Sequence, residues 1–204
     1  MYINTHSTQT MITIETEIGA LKEYSDHLKS LSDADKHSRF GYMPSDYVID
    51  QLIMNIVKNP THHVLFRASE PSGETSGWGH MAKDEESYEL AVSVEMRHQR
   101  KGVGSRLIGE MLEWAKFHNI TQVYMHCIES NRVIQHLALK HNLVTRERGH
   151  GERTAALEIP EPSWFEKHAK FWKDQNHMLD EYTELNRRMT HLMFGKHTNT
   201  QRKI

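Results

Sequence analysis

The apolar positions of the chain change period several times, and each change predicts an element. Residues 1–10 are polar and aperiodic and read as a frayed tail. Met11 to Ile14 alternates and is β-branched, which predicts a short strand. Over residues 15–40, Ile18, Leu21, Tyr24, Leu28 and Leu31 recur at three- and four-residue steps, the spacing of one helix face. A second helix is expected after Pro44, capped by Ser45 or Asp46, with Tyr47, Ile49, Leu52, Ile53 and Ile56 as its apolar face. Asn59-Pro60 stops it, because proline lacks the N–H a continuing helix needs.

The period then shortens to that of strands. His63 to Ala68 and Thr75 to Ala82 flank Glu70 to Glu74, whose Pro71 and Gly73 mark a turn, so they read as a hairpin. Tyr88 to Val94 follows the charged turn Lys83 to Glu86 and makes a third strand. Gln99-Arg100-Lys101-Gly102-Val103-Gly104 comes next, and Ser105 to Phe117 carries a helical stripe of Leu107, Ile108, Met111, Leu112 and Ala115. Strand, glycine-rich loop and helix in that order form an anion site. The glycines let backbone approach a ligand, and the first N–H groups of a helix are free and face it with a favourable dipole. The loop is not a phosphate-binding Walker loop, since no Gly-Lys-Ser/Thr follows, and it lacks the third glycine of the dinucleotide fingerprint. Thr121 to Cys127 completes a strand-helix-strand unit, Glu129 to His141 adds a helix, and Leu143 to Arg146 with Thr154 to Ile159 close the sheet. The expected class is α/β.

Composition narrows the partners. Lys and Arg number 25 against 27 Asp and Glu, a net charge of −2, so no footprint for a nucleic acid is expected. One cysteine, Cys127, forms no intramolecular disulfide and suits a reducing compartment, which makes the cytoplasm the expected location. The first ten residues lack the basic flank and apolar core of a signal peptide, and no run of about 18 apolar residues is present to span a bilayer, so no membrane partner is expected. The 16 histidines raise the question of a metal. His62 and His63 are adjacent, and His136 and His141 are five apart, so neither pair shares a face of its element, and no metal is expected. A length of 204 residues accommodates one α/β core and an extension rather than two complete domains.

With these residues in place, the chain resembles the GNAT superfamily of acyl-CoA-dependent N-acyltransferases, whose signature Gln/Arg-x-x-Gly-x-Gly/Ala is matched by Gln99 to Gly104. Residues 11–159 follow the superfamily's order of elements, and Asn131 to Leu143 resembles its second motif, with Asn142-Leu143 where a Gly-Phe pair is usual. Three features are similar to the bacterial protein-lysine acetyltransferase branch: Leu31 to Phe40, the strand Glu89 to Val94, and a small residue, Ala138, where many members carry a tyrosine that protonates the leaving thiolate. The resemblance implies a mostly antiparallel, twisted sheet flanked by helices, with acetyl-CoA as co-substrate. It implies that backbone groups of Val94 and Met96 pair with the pantetheine arm. The amides of Lys101, Gly102, Val103, Gly104 and Ser105 would hold the pyrophosphate, with Gln99 in the motif, Arg100 and Arg106 as charge partners, and Asn131 on the pantetheine arm.

The acceptor amine must lose a proton before it attacks, and a lysine with a reference pKa near 10.4 is almost fully protonated at neutral pH. Glu89 is the candidate base, with an ion pair to Arg39 as its structural alternative. Cys127 reads as a core thiol rather than an acyl carrier, and His126 as a secondary proton carrier, so transfer is expected to be direct, in a ternary complex. The acceptor reads as a protein lysine ahead of a polyamine or aminoglycoside. A non-catalytic assembly protein of the same fold is the rival class, with Ala138 and Asn142-Leu143 as its basis.

Residues 160–204 need a separate account. Pro160 and Pro162 mark a boundary, and Ser163 to Glu166 is a capping-box sequence opening a long helix to about Phe194. Trp164, Phe165, Phe171, Trp172, Met178, Leu179, Leu185, Leu192 and Met193 form a broad apolar face along it. Such a face is expected to be covered, by its own chain or in a homo-oligomer formed through 163–194.

Overall fold

A computed structural model describes residues 10–15, 18–128, 130–149 and 152–170. The chain divides into two compact units, Met1–Glu161 and Pro162–Ile204. In the first, the predicted helix over 15–40 is two helices, α1 (Ile18–Ser30) and α2 (Asp33–Phe40). The break has a local cause: the Ser32 hydroxyl accepts the Asp35 N–H at 3.2 Å and caps a new helix. Gly41 ends α2 in the left-handed region at φ 78°, returning its N–H to the His37 carbonyl. Helix α3 (Asp46–Lys58) has Ser45, one of the two expected residues, at its N-cap and buries Ile49 and Ile56, whereas Tyr47 is 70% exposed and lies off the buried face.

The strands are β1 (Met11–Glu15), β2 (His63–Ser69), β3 (Thr75–Asp84), β4 (Ser87–Val94), β5 (Gln122–Ile128), β6 (Val144–Gly149) and β7 (Glu152–Glu158). They form one seven-stranded sheet in the order β1-β2-β3-β4-β5-β7-β6. Every neighbouring pair is antiparallel except β4 and β5, which run parallel because α4 (Val103–Phe117) carries the chain back over the sheet between them. The last helix is α5 (Arg132–Lys140).

Strand periodicity sorts side chains to two faces. Phe66, Met81, Leu90, Leu107, Met111 and Met125 fill the core between the sheet and α4. Tyr24, Leu28, Ile49, Leu65 and Trp78 fill the other, under α1 and α3. On β4 this alternation places Tyr88 and Leu90 against α4, and therefore Glu89, Ala91 and Ser93 on the α1 face.

In the second unit, residues 164–170 are helical. Both halves of the expected capping box form. The Ser163 N–H donates to Glu166 Oε2 at 2.8 Å, and the Glu166 N–H donates to Ser163 Oγ at 3.3 Å. The remainder of the predicted helix, 171–194, lies outside the described residues.

Close approach of β3 to β4 depends on Gly77, where an added Cβ would stand 2.7 Å from the Ser93 carbonyl oxygen. Backbone on both sides leaves little room to relax, so Gly77→Ala is expected to destabilise the protein by about 1–3 kcal/mol. Urea unfolding of the two proteins measures the difference.

Candidate active site

β4 and β5 are held together at one end only. Tyr88 pairs with Val123 and Glu89 with Tyr124, and beyond them the strands part. The parting opens a cleft of about 720 Å³ walled by β4, β5, α2, α5 and the start of α4. Backbone direction in the parting follows from the antiparallel ladder. The Glu95 N–H donates to the Ser76 carbonyl, so residues in phase with Glu95 point their backbone groups to β3, and Leu90, Val92 and Val94 point theirs towards the parting.

At the far end, Arg100 at φ 58° and Gly102 at φ 85° turn the loop through the left-handed region. Gly102 begins α4 with no side-chain cap. The first helical bond is Arg106 N–H to the Gly102 carbonyl, which leaves the N–H groups of Val103, Gly104 and Ser105 without an intrahelical partner. These free N–H groups, at the positive end of the helix dipole, fit a pyrophosphate. Gly104 keeps the helix close: a Cβ there would touch Leu137 at 3.4 Å and Val94 at 3.6 Å.

Of the residues expected from sequence, Glu89, Val94, Gln99, Arg100, Gly102, Val103, Gly104, Ser105 and Asn131 line the cleft. Met96 and Lys101 are not on its wall. After Val94 the chain turns back on β3 through Glu95 and enters a 3-10 turn, Met96–His98, which leaves Met96 71% exposed. Arg106 is also turned away, since its guanidinium donates to the Thr10 carbonyl at 3.2 Å and the Thr10 hydroxyl at 3.1 Å.

Gln99 and Asn131 do work that the sequence did not reveal. The Gln99 amide donates to Asp35 Oδ1 at 3.1 Å and to the Val94 carbonyl at 3.2 Å, so of the backbone groups of Val94 it is the N–H that is left facing the parting. Asn131 Oδ1 accepts the Ile134 N–H at 3.1 Å as the cap of α5, and its amide donates to the Ser38 carbonyl. Both side chains therefore tie α2 across the cleft.

Glu89 sits at the head of the parting, on the α1 face, among Arg39 of α2 and the exposed His126 of β5. No Glu89–Arg39 ion pair forms among the described residues; the Arg39 guanidinium instead stacks 4.9 Å from the Phe40 ring centre. Tyr124, across from Glu89, donates to Asp84 at 2.7 Å. Cys127 and Ala138 belong to the α4-side core. Burial pushes the Cys127 thiol up to about 11, so it is protonated at neutral pH and no acyl carrier. At Asn142-Leu143, which stand in place of the usual Gly-Phe pair, Asn142 adopts φ 62° and Leu143 is 1% exposed, so the first makes a left-handed turn and the second fills the core.

Three histidines to which the sequence assigned no role in the site also lie on the α1 side. His63 Nδ1 and His80 Nε2 are 3.0 Å apart, and His27 is a buried residue of α1. Burial holds all three below the ordinary histidine pKa, His80 furthest, with Arg39 and then His63 adding to the effect there. No sequence signal could have found the His63–His80 and His27–Glu95 contacts, because they join residues 17 and 68 positions apart. Among the described residues no group of three or more His, Cys, Asp or Glu side chains is placed to hold a metal, and no helix is long and apolar enough to cross a membrane.

The Acetyltransferase (GNAT) family profile matches residues 26–142, more than half of the chain. No curated protein matches the chain significantly. Among solved structures, the GNAT domain of S. lividans PAT is similar at a TM-score of 0.61 and 15% identity, over 74% of this chain and 90% of that one. The spermidine N-acetyltransferase from Vibrio cholerae, in complex with CoA and spermine, is similar at a TM-score of 0.58 and 16% identity, over 72% of this chain and 95% of that one. The GNAT-family acetyltransferase from Streptococcus pneumoniae gives a TM-score of 0.56 at 17% identity, over 73% of this chain and all 100% of that one. These likenesses are likenesses of fold.

Two predictions follow from the buried groups. A histidine whose pKa is lowered in the fold binds its proton more readily when unfolded, so stability is full above about pH 6.5 and falls as the pH drops towards the folded value. Thermal unfolding is expected to show this acid-side loss, and His80→Gln is expected to flatten it. The Cys127 thiol is expected to stay unreactive to a thiol-disulfide reagent at neutral pH in the folded protein and to react at once in denaturant, read by absorbance.

Proposed function

The chain belongs to the Acetyltransferase (GNAT) family, and we propose that it transfers an acetyl group from acetyl-CoA to a primary amine, with a protein lysine as the acceptor. Glu89 carries the reading. It is the last residue of β4 paired to β5, at the opposite end of the cleft from the free N–H groups of α4.

Acetyl-CoA, when bound, supplies the acetyl group as an activated thioester. The N–H groups of Val103, Gly104 and Ser105 hold its pyrophosphate, Arg100 adds charge, and the Val94 N–H holds the extended arm against β4. Glu89 accepts the proton of the acceptor ammonium, directly or through a water, and so frees the amine to attack. Ala138 offers no proton, so the departing thiol is protonated by solvent or by the amine itself, which a thiol pKa near 8.5 permits. Transfer is direct, within a ternary complex.

Charge on the cleft wall supports a lysine over a polyamine. Among the described lining residues the carboxylates are Asp35 and Glu89, against Arg39, Arg100, Arg132 and Lys140, and Asp35 already accepts from Gln99. A molecule with several ammonium groups would leave most of them unmatched. The buried single cysteine suits a reducing, cytoplasmic setting. Assembly through 163–194 fits the apolar face of that segment.

Glu89→Gln is expected to lower kcat for acetyl transfer by about 10²–10⁴-fold while acetyl-CoA binding, followed by calorimetry, stays unchanged. Unaltered transfer by this variant would remove Glu89 as the base. No binding of acetyl-CoA by the wild type would favour the non-catalytic reading.

A further inference from the structure

A second set of reactive groups reaches the cleft wall through Ser93, four residues along β4 from Glu89. His27, a residue of α1 that is 5% exposed, places Nδ1 2.8 Å from Glu95 Oε1 and Nε2 2.8 Å from Ser93 Oγ. The proton assignment follows from donor and acceptor chemistry. A carboxylate only accepts, so the proton between His27 and Glu95 is on Nδ1. Burial lowers the His27 pKa despite Glu95, so the ring is neutral near pH 7 and Nε2 is left as an acceptor. Ser93 must then donate its O–H to Nε2. A hydroxyl, an imidazole base and a carboxylate that fixes its tautomer stand in the order that activates a serine for acyl transfer. Ser93 is 8% exposed and lines the cleft beside Val94.

We propose that Ser93 is an acyl-accepting nucleophile with His27 as its base and Glu95 as the residue that positions His27, giving the cleft a hydrolase activity towards small acetyl esters and thioesters when no amine acceptor is bound. This goes beyond the amine transfer assigned to Glu89 and does not depend on it. Ser93 Oγ forms a bond to the acetyl carbonyl carbon and its proton passes to His27 Nε2. The bond from that carbon to the leaving sulfur or oxygen breaks, and the leaving group takes the proton from His27. Water, deprotonated in turn by His27, attacks the acetyl-Ser93 ester, the bond to Ser93 Oγ breaks, and Ser93 recovers its proton from His27 as acetic acid departs. The sum is ester or thioester plus water giving acetic acid plus alcohol or thiol.

The test uses the full chain with two probes that contain neither CoA nor an amine. p-Nitrophenyl acetate is expected to give a burst of one nitrophenolate per chain, and acid quenching followed by peptide mass mapping is expected to find one acetyl group on Ser93. A fluorophosphonate is expected to label the same residue. Ser93→Ala abolishes the burst and the label, and His27→Gln slows both at least a hundredfold, with circular dichroism confirming the fold of each. The charged groups facing His27 are Glu95 after β4 and Arg39 and Asp35 on α2. Glu95→Gln removes the one in contact, and the acid limb of the burst rate is expected to move to lower pH, a shift that a purely structural bond would not produce. Wild-type protein that is folded but carries neither acetyl nor phosphonyl on Ser93 overturns the proposal, whatever the variants do. Failure of the amine-transfer reading shows separately, as absent acetyl-CoA binding.

Discussion

The parting of two parallel strands is the constraint on which the site depends. β4 and β5 share only the pairs Tyr88–Val123 and Glu89–Tyr124, although each is long enough to pair further. Unpaired backbone donors inside a protein are costly unless something meets them. The parted segment of β4 therefore has the backbone of a sheet edge. Its two ends acquire different chemistry: a carboxylate, Glu89, where the strands still touch, and the bare N-terminus of α4 where they are farthest apart.

Helix α2 makes this opening a cleft rather than a bare groove. It exists as a separate helix because Ser32 caps it, and it is tied across the opening at two points, Asp35 to Gln99 and the Ser38 carbonyl to Asn131. Gln99 follows β4 and Asn131 caps α5, so two side-chain amides join α2 to the segments on either side of the parting. The interior beneath α1 adds a polar layer in which His27, His63 and His80 are held neutral by burial. Neutral imidazoles are serviceable as proton acceptors at physiological pH in a way that protonated ones are not.

The fold was largely legible in the chain. The expectations that held concern local matters: alternation in β2, β3 and β4, the stripe of α4, Asn59-Pro60 as a stop, and Ser163 to Glu166 as a capping box. Each depends on residues a few positions apart. Even the break between α1 and α2 had a local signal in Ser32 and Asp35, masked by an apolar spacing that ran on through Leu31. The glycine loop was legible for the same reason, since the free N–H groups and left-handed turns that fit a pyrophosphate come from consecutive residues.

What the sequence by itself determined is the order of elements, the glycine loop with the helix it opens, and Glu89 on a strand ahead of it, because periodicity, caps and backbone conformation act over one or two turns. Only the tertiary structure decided which way the chain leaves Val94, and hence that Met96 is exposed and Arg106 is spent on Thr10. It also decided that His27 meets Ser93 and Glu95 across 66 and 68 residues. Such contacts depend on how α1 lies on the sheet, which is a consequence of burying Tyr24, Leu28 and Trp78 together, and no local pattern records it.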